Sequence, residues 1–549
     1  MKETKIMVVT VTDSKNYPNH FWQGVLNDNC ERLIWFDLKE SYFNKGKKKT
    51  EEKLINLFSD ERPDFLFIFD SLYYDLDLPI LLTKLKFISP KTKTVFFSGD
   101  DDLLFDSVRY LGVFFDYLMV AQNDYVQLYK KDNLKNIIFI TQVSPSTIAK
   151  NSTKIYDVSF IGTPKADRKE IIEYLHKNGV RVALFGSSNW TKYPSLKKIY
   201  LGPLPAEDYL KTVNQTKINI CLSKNMLGIP HMKGRFMEYA ECFAFSLVED
   251  NPQLRKLFQE GKEIIFFKSK EELLEKVKYY LKNEKERQRI AIAAHRRYKR
   301  DYDFEKSISK FIRRNIGQTI KKTVPQIKFS IADIDESIIN LPKKEILEMI
   351  KDKEYISFSK GQVTKSFYKN YLQVYSLQKN KKQISCCDYF IHSRLLGDYA
   401  RFRFCPFGLV PGKIYQPLLD INQIVVTKEY FLKNFEMLVQ SYKSGNLLFV
   451  NRDNSTFVSL PLVSISNFRK GFFNNPEFAQ ELGLFLYSLH RELYSRRKKP
   501  ILFAIYLAGI LKECLSGKKF IFNQLKLKFF DKDWNVSIFL QNIKNRLRS

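Results

Sequence analysis

Short apolar runs alternate with amphipathic stretches over the first 150 residues. Lys5–Val11, Leu33–Leu38, Phe65–Asp70, Thr94–Ser98, Tyr117–Val120 and Asn136–Thr141 read as strands, and Glu51–Ser59, Pro79–Ile88 and Asp124–Lys131 have helical spacing. Strands alternating with helices imply right-handed crossovers and a parallel sheet covered on both faces. The rhythm then restarts, with strands expected at Asp157–Ile161, Val180–Phe185, Ile218–Leu222, Ala244–Val248 and Glu263–Phe267, and helices at Arg168–Lys177, Ala206–Val213, Arg235–Cys242 and Gln253–Gln259. A long basic helical region from Glu271 to about Ile316 closes this second part, and the polar stretch around Pro325 reads as a linker. Farther on, strands (Ile424–Thr427, Leu447–Val450, Thr456–Leu460) and helices (Tyr430–Tyr442, Glu477–Tyr487) mix. The expected fold is α/β: two tandem Rossmann-like domains, 1–150 and 151–325, followed by a C-terminal α+β domain, 326–549.

A length of 549 residues suits several domains, and 44% hydrophobic with 27% charged residues describes a globular chain rather than a disordered one. Lys and Arg number 90 against 60 Asp and Glu, and the net charge of +30 favours phosphates, nucleic acid or an anionic membrane as partners. The last 59 residues, Arg491 to Ser549, hold 14 basic and 4 acidic residues, a third of that charge in a ninth of the chain. Seven cysteines with no C-x-x-C pair point away from a disulfide framework or zinc ribbon and towards a reducing compartment. Met1 to Asp13 carries no secretion-type apolar segment, and the apolar run Ile501–Leu511 is well below the roughly 17–25 residues that span a bilayer. The expected location is cytoplasmic, or peripheral at the inner face of the membrane.

Two Rossmann-like sheets place ligands outside the C-terminal ends of their strands. After the first strand stands Thr10-Val11-Thr12-Asp13-Ser14, not a G-x-G-x-x-G, and a P-loop is absent too, so a dinucleotide cofactor has little support. In the second domain the first strand ends Phe160-Ile161-Gly162-Thr163, with Lys165 and Arg168 following at a helix start. A glycine there lets the backbone approach a phosphate, and the helix N-terminus adds its positive dipole end; a plain strand-to-helix turn reads the same way. Arg235 and Glu238 stand three apart on a helix, so one face presents a guanidinium for phosphates and a carboxylate for ribose hydroxyls. An exposed i,i+3 ion pair is the alternative.

Residues 233–249 resemble the R-x-F-E-x-x-A-C-G-x-F-L-L-x-E segment of the CgeB-like glycosyltransferases, a group 1 family, with Arg235, Glu238, Cys242, Phe245, Leu247 and Glu249 in matching places. The similarity runs on through Leu257–Ile264, Ser269–Leu273, Tyr279-Tyr280-Leu281 and Arg289-Ile290-Ala291, and upstream through Val158–Gly162, Arg168 and Phe185-Gly186. Phe243 and His295 stand where the family has glycines, and the first glutamate of the retaining E-x7-E pattern falls at Pro230. The resemblance implies GT-B architecture over about residues 1–316, the second domain binding a nucleotide-sugar and the first presenting the acceptor. It further implies that Glu238 holds the ribose. Gly162, Thr163, Lys165, Arg168, Gly186, His231, Lys233 and Arg235 complete the expected donor site. The reaction expected is sugar transfer to a hydroxyl of an envelope or surface glycan, the acceptor being a glycan, glycolipid or protein; no cofactor or metal is required.

A general base is expected near the acceptor. By position the candidates are Asp13, His20 and Asp100, with Asp101 and Asp102 beside it; Asp102 also suits the N-cap of a helix over Leu103–Tyr110. Asp100-x-Asp102 after an apolar strand alternatively resembles the Mn²⁺- or Mg²⁺-binding D-x-D of GT-A enzymes. Cys386, Cys387, His392 and Cys405 match no structural zinc spacing and read as buried thiols. Ser495–Pro500 is basic and precedes Ile501–Leu511, which suits either an anionic membrane surface or a core helix. A non-catalytic nucleic-acid-binding or membrane-binding protein is the remaining alternative, and nucleic acid is not expected because no recognition signature accompanies the charge.

Overall fold

The apolar runs form strands because helices on both sides remove them from water. Ile6, Met7, Val8 and Val9 of the first strand, and Phe65 to Phe69 of its neighbour, are all buried. The computed structural model describes residues 4–10, 19–69, 77–141, 153–164, 167–224, 230–232, 234–318, 324, 327–361, 363–392, 401–404, 418–419, 421–444, 448–449 and 454–466.

The chain begins β1 (Lys5–Thr10), α1 (Asn19–Asn27), β2 (Arg32–Asp37), α2 (Leu38–Glu61), β3 (Phe65–Phe69), α3 (Leu78–Ile88), β4 (Lys93–Ser98), α4 (Asp101–Leu111), β5 (Tyr117–Val120), α5 (Asn123–Lys131) and β6 (Ile137–Phe139). Their sheet is parallel throughout, in the order β2-β1-β3-β4-β5-β6. Next come β7 (Tyr156–Gly162), α6 (Arg168–Lys177), β8 (Val182–Gly186), α7 (Pro194–Lys197), β9 (Tyr200–Gly202), α8 (Ala206–Asn214), β10 (Thr216–Cys221), α9 (Gly234–Glu241), β11 (Ser246–Glu249), α10 (Pro252–Leu257) and β12 (Ile265–Phe267). The second sheet is also parallel, β12-β11-β10-β7-β8-β9, so its order reverses between β7 and β10. Two Rossmann-like sheets in tandem are thus present, as the alternation implied. β9 is too short an edge strand to show periodicity in the sequence.

The expected single basic helical region is three helices: α11 (Lys270–Lys282), α12 (Glu284–Asp301) and α13 (Phe304–Asn315). Side chains make the breaks. Asn283 Nδ2 donates to Tyr279 O at 2.8 Å, and Asp303 caps α13 by accepting from Lys306 N at 3.1 Å. Although α13 follows the second sheet, it packs on the first. Phe304 meets Trp22 edge-on at 5.0 Å, and Phe311 meets Tyr117 edge-on at 4.9 Å. One apolar cluster therefore runs from the first sheet through α13 to the second.

The C-terminal part holds β13 (Ile331–Ile334), α14 (Glu336–Ile339), α15 (Lys343–Met349), β14 (Tyr355–Phe358), β15 (Val363–Lys365), α16 (Lys369–Asn380), β16 (Ile384–His392), β17 (Arg401–Phe404), β18 (Leu418–Leu419), β19 (Ile424–Thr427), α17 (Lys428–Lys433), α18 (Phe435–Ser444), β20 (Leu448–Phe449) and β21 (Ser455–Ser466). Its main sheet is mixed, β13-β14-β19-β16-β21-β15 with β17 on β16, consistent with an α+β class. The helix expected over Tyr430–Tyr442 is split at Asn434, whose side chain donates to Tyr430 O at 2.9 Å. Cys386 and Cys387 are buried neighbours on one strand and so face opposite sides of the sheet, the arrangement of structural thiols. Glu477–Tyr487, Ile501–Leu511 and the basic C-terminal stretch lie outside the described residues. By compactness the chain forms two units: one of residues 1–40, 58–70 and 89–322, the other of 41–57, 71–88 and 323–549.

Candidate functional site

The order reversal between β7 and β10 leaves a crevice at their C-terminal ends, the place where open parallel sheets bind ligands. β7 delivers Gly162 there. Gly162 O accepts from the indole Nε1 of Trp190 at 2.9 Å and from Ser187 N at 3.1 Å. Gly186, at the end of the adjacent β8, has φ +113°, and a Cβ on it would lie 2.3 Å from Gly162 O. The two glycines let two strand ends touch, which gives Gly186 a packing role in the crevice wall.

Two arginines converge on this wall. Arg168 opens α6, is 6% exposed, and donates from Nη1 to Thr163 O at 3.3 Å and from Nη2 to Lys224 O at 3.2 Å. Arg235 lies in the first turn of α9. Their guanidinium carbons sit 5.9 Å and 5.7 Å from the centre of the same Phe160 ring. Burial, then the neighbouring Arg235 charge, push the Arg168 guanidinium below its ordinary value. Burial acts on Arg235 in the same sense, but Tyr239, Tyr209, Cys221 and Glu238 around it more than offset that. Arg168 Nε and Arg235 Nη1 are both out of solvent with no hydrogen-bond partner among the described residues. Nearby carboxylates are already engaged: Lys224 Nζ stands 2.6 Å from Asp167 and 2.7 Å from Glu249, and Glu249 also accepts from Ser223 N at 2.8 Å and Lys224 N at 3.1 Å. Two like charges with orphaned donors form a site that an anion with several acceptor oxygens would complete.

Glu238 is 5% exposed and accepts from Tyr209 Oη at 2.7 Å, so it is not the carboxylate of an exposed ion pair. A carboxylate has about four lone-pair sites and can serve several donors at once.

From the first sheet, the turn after β4 supplies Asp100, whose carboxylate is half exposed and reaches His231 Nε2 at 3.4 Å. The structure thus brings together a candidate base and a candidate donor-site residue from different sheets. Asp101, next in sequence, is buried and accepts from Tyr129 Oη at 2.8 Å and Gln122 N at 3.3 Å. The expected helix start at Leu103 is corrected: α4 begins at Asp101, so Asp102 sits within the helix and is not its N-cap. Asp13, Lys165 and Lys233 lie outside the described residues, as do the side chains of His20 and Asp102. Among the described residues no cluster of three His, Cys, Asp or Glu is placed to hold a metal, and no helix is long and apolar enough to cross a membrane.

Gln122, after β5, gave no signal in the sequence, since a lone glutamine belongs to no motif. It is fully buried. Its Oε1 accepts from Met232 N and Gln253 Nε2, each at 2.9 Å, and its Nε2 donates to Met232 O at 3.0 Å. One amide therefore ties the end of the first sheet to the loop that leads into α9, and fixes where His231 and Arg235 stand relative to Asp100.

The two departures from the family pattern touch each other. Phe243, just past α9, holds the left-handed φ of +55° that glycine adopts freely. The His295 ring stacks on it at 3.5 Å, and His295 Nδ1 lies 3.1 Å from Ala240 O and 3.0 Å from Glu241 O. Carbonyls only accept, so Nδ1 carries the proton and caps the helix end. Burial lowers the His295 pKa from its ordinary 6.5. Its folded value lies below the unfolded one, so its contribution is complete above about pH 6.5 and fades as pH falls through the folded value. The stability gap between wild type and His295→Gln is accordingly expected to shrink from pH 7.5 to pH 5 in thermal unfolding; a constant gap would contradict the lowered pKa.

Residues 168–313 match the family model described as glycosyl transferase-like. The segment begins at Arg168, includes Arg235 and Glu238, and ends within α13. Among solved structures, the chain is similar to Anabaena HepE in complex with UDP and glucose (10% identity, TM-score 0.41, covering 57% of this chain and 100% of that one). It is also similar to the beta-glucosyltransferase of T4 phage (13% identity, TM-score 0.38, covering 57% and 100%). No curated protein matches by sequence.

Proposed function

We propose that the protein is a glycosyltransferase of GT-B type, related to the CgeB-like enzymes, that takes its sugar from a nucleotide-sugar bound on the second sheet. One observation carries this reading: the buried Arg168 and the partly buried Arg235 share Phe160 at the order reversal, and each has a donor nitrogen out of solvent with no partner among the described residues. A departing nucleoside diphosphate gains negative charge as the glycosidic bond breaks, and guanidinium groups already fixed in place stabilise it without reorganisation. Glu238 takes the ribose hydroxyls. Asp100 accepts the proton of an acceptor hydroxyl as that oxygen bonds to the sugar carbon and the bond from that carbon to the nucleoside diphosphate breaks, and His231 Nε2 at 3.4 Å positions the Asp100 carboxylate. The acceptor is a hydroxyl of an envelope or surface glycan, presented from the side of the first sheet. Residues 1–150 and 151–325 act as acceptor-side and donor-side domains in this reading.

The two parallel sheets, with the cationic crevice on the second, favour this over a metal-dependent GT-A site at Asp100 and Asp102. A thermal-shift panel with UDP, GDP, CDP, dTDP and ADP, each with Mn²⁺ and with EDTA, tests it. A shift with one nucleotide that survives EDTA is expected; a shift only with Mn²⁺ would return the case to the D-x-D. Glu238→Ala is expected to weaken nucleoside diphosphate binding by about 1–3 kcal/mol, the cost of unpairing a ribose diol, while leaving pyrophosphate binding unchanged. Equal affinity of variant and wild type for the nucleotide would remove Glu238 from the site.

A further inference from the structure

The two faces of α13 differ sharply. Phe304, Ile308, Phe311 and Ile312 recur at helical spacing and are buried. Phe304 meets Trp22 at 5.0 Å, and Phe311 meets Phe65 at 5.8 Å and Tyr117 at 4.9 Å, so the helix is held on the first sheet along its length. Lys306, Lys310, Arg313 and Arg314 fall at i, i+4, i+7 and i+8 and therefore share the opposite face. All four are exposed, and none of their side chains has a hydrogen-bond or ion-pair partner among the described residues.

Other charged helices of the same unit pair their cations internally. On α12, Arg297 and Arg300 each stand 2.9 Å from Asp301, and Lys299 reaches Asp303 at 2.6 Å. On α11, Lys276 meets Glu272 at 2.6 Å; on α6, Lys169 and Lys177 stand 3.7 Å and 3.5 Å from Glu173. The one acidic residue of α13, Glu305, lies off the row and interacts with Asp303, Lys299, Glu241 and Asp28. From Lys306 to Lys322 the sequence has six Lys or Arg and no Asp or Glu. The row is thus uncompensated by its own helix and by the chain that follows it. Like charges fixed about 12 Å from end to end on a rigid support suit an extended anionic surface, which meets all of them at once.

We infer that the outward face of α13 docks the protein on an anionic lipid surface, with the four cations lying along the headgroup phosphates. Nucleic acid suits the face less, since the row includes no aromatic ring to stack on a base and no side-chain amide to read one. Ile316 favours lipid. It closes the last turn, its N–H bonded to Ile312 O at 2.9 Å, and its side chain is 38% exposed, an apolar group for the boundary between headgroups and acyl chains. The inference is independent of the sugar-transfer reading and uses none of its residues.

Flotation of the full-length chain with vesicles of phosphatidylcholine, alone or mixed three-to-one with phosphatidylglycerol, tests it. The wild type is expected to float with the mixed vesicles only, and less so as salt is added. Lys306→Gln/Lys310→Gln/Arg313→Gln/Arg314→Gln is expected to lower that partition by about tenfold or more. Lys262→Gln/Lys268→Gln/Lys278→Gln/Lys282→Gln removes the same charge from exposed positions around β12 and α11, and should float as the wild type does. Because all eight side chains lie at the surface, unchanged thermal unfolding will certify that both variants are folded. Undiminished flotation of the α13 variant would overturn the inference. So would an equal loss in both variants, which would trace binding to net charge alone, or a wild type that ignores the mixed vesicles, whether or not it binds duplex DNA.

Discussion

Arg235→Met is expected to weaken binding of a nucleoside diphosphate by about 10–150-fold, the equivalent of roughly 1.5–3 kcal/mol for hydrogen bonds to a charged group. The same substitution should change the stability of the ligand-free protein little, since it removes a like charge and an orphaned donor but also the attractions that favour the Arg235 charge. Two guanidinium groups share one ring at the crevice wall, and the Arg168 charge is disfavoured by its neighbour as well as by burial. Methionine fills similar volume without charge, so the substitution removes a like-charge repulsion together with an orphaned buried donor. With nucleotide added the wild type becomes clearly the more stable, because only it gains the full stabilisation of the bound anion. Calorimetric titration and thermal unfolding, each with and without the nucleotide, read both halves. A variant that binds as tightly as the wild type would show that the anion site lies elsewhere. Arg168 differs in this respect, since it is bonded to Thr163 O and Lys224 O and its loss should cost stability as well as affinity.

Gly186→Ala is expected to destabilise the unit that holds the two Rossmann-like sheets by about 2–5 kcal/mol, combining backbone strain with overpacking. The reason is local. At φ +113° an L side chain is strained, and its Cβ would meet Gly162 O at 2.3 Å and Gly162 N at 2.8 Å, both of them backbone atoms that cannot rotate away. Relief requires the ends of β7 and β8 to separate, which would disturb the Trp190 and Ser187 bonds to Gly162 O. Nucleotide affinity should fall with stability, since Gly162 and Thr163 form the same wall. Gly179→Ala provides the control: it also has positive φ, at +80°, but nothing lies within 4 Å of the added Cβ. Equal melting behaviour of the two variants would show that strain alone, and not the contact between the two glycines, accounts for the effect.

The sequence by itself determined the elements and the cationic wall. Continuous apolar runs flanked by amphipathic stretches locate strands buried on both faces, because burial on two sides leaves no polar alternation to read. Gly162 at a strand end, with Arg168 and Arg235 at helix starts, was legible for a similar reason, since each is placed by its position on its own element. Helix breaks were not. Asn283, Asp303 and Asn434 end or begin helices through single side-chain bonds, and the apolar period runs through those points without interruption.

Only the tertiary structure decided which residues meet. Asp100 and His231 are 131 positions apart and touch because two sheets turn their strand ends to one crevice. Gln122 fastens them while belonging to no pattern. Lys224 occupies both Asp167 and Glu249, the carboxylates nearest Arg168. Phe243 and His295, read singly as departures from a family pattern, prove to be one stacked pair that closes α9. Periodicity records which side of an element is buried. Strand order and the return of α13 onto the first sheet set which elements converge, and those are non-local choices that no window along the chain contains.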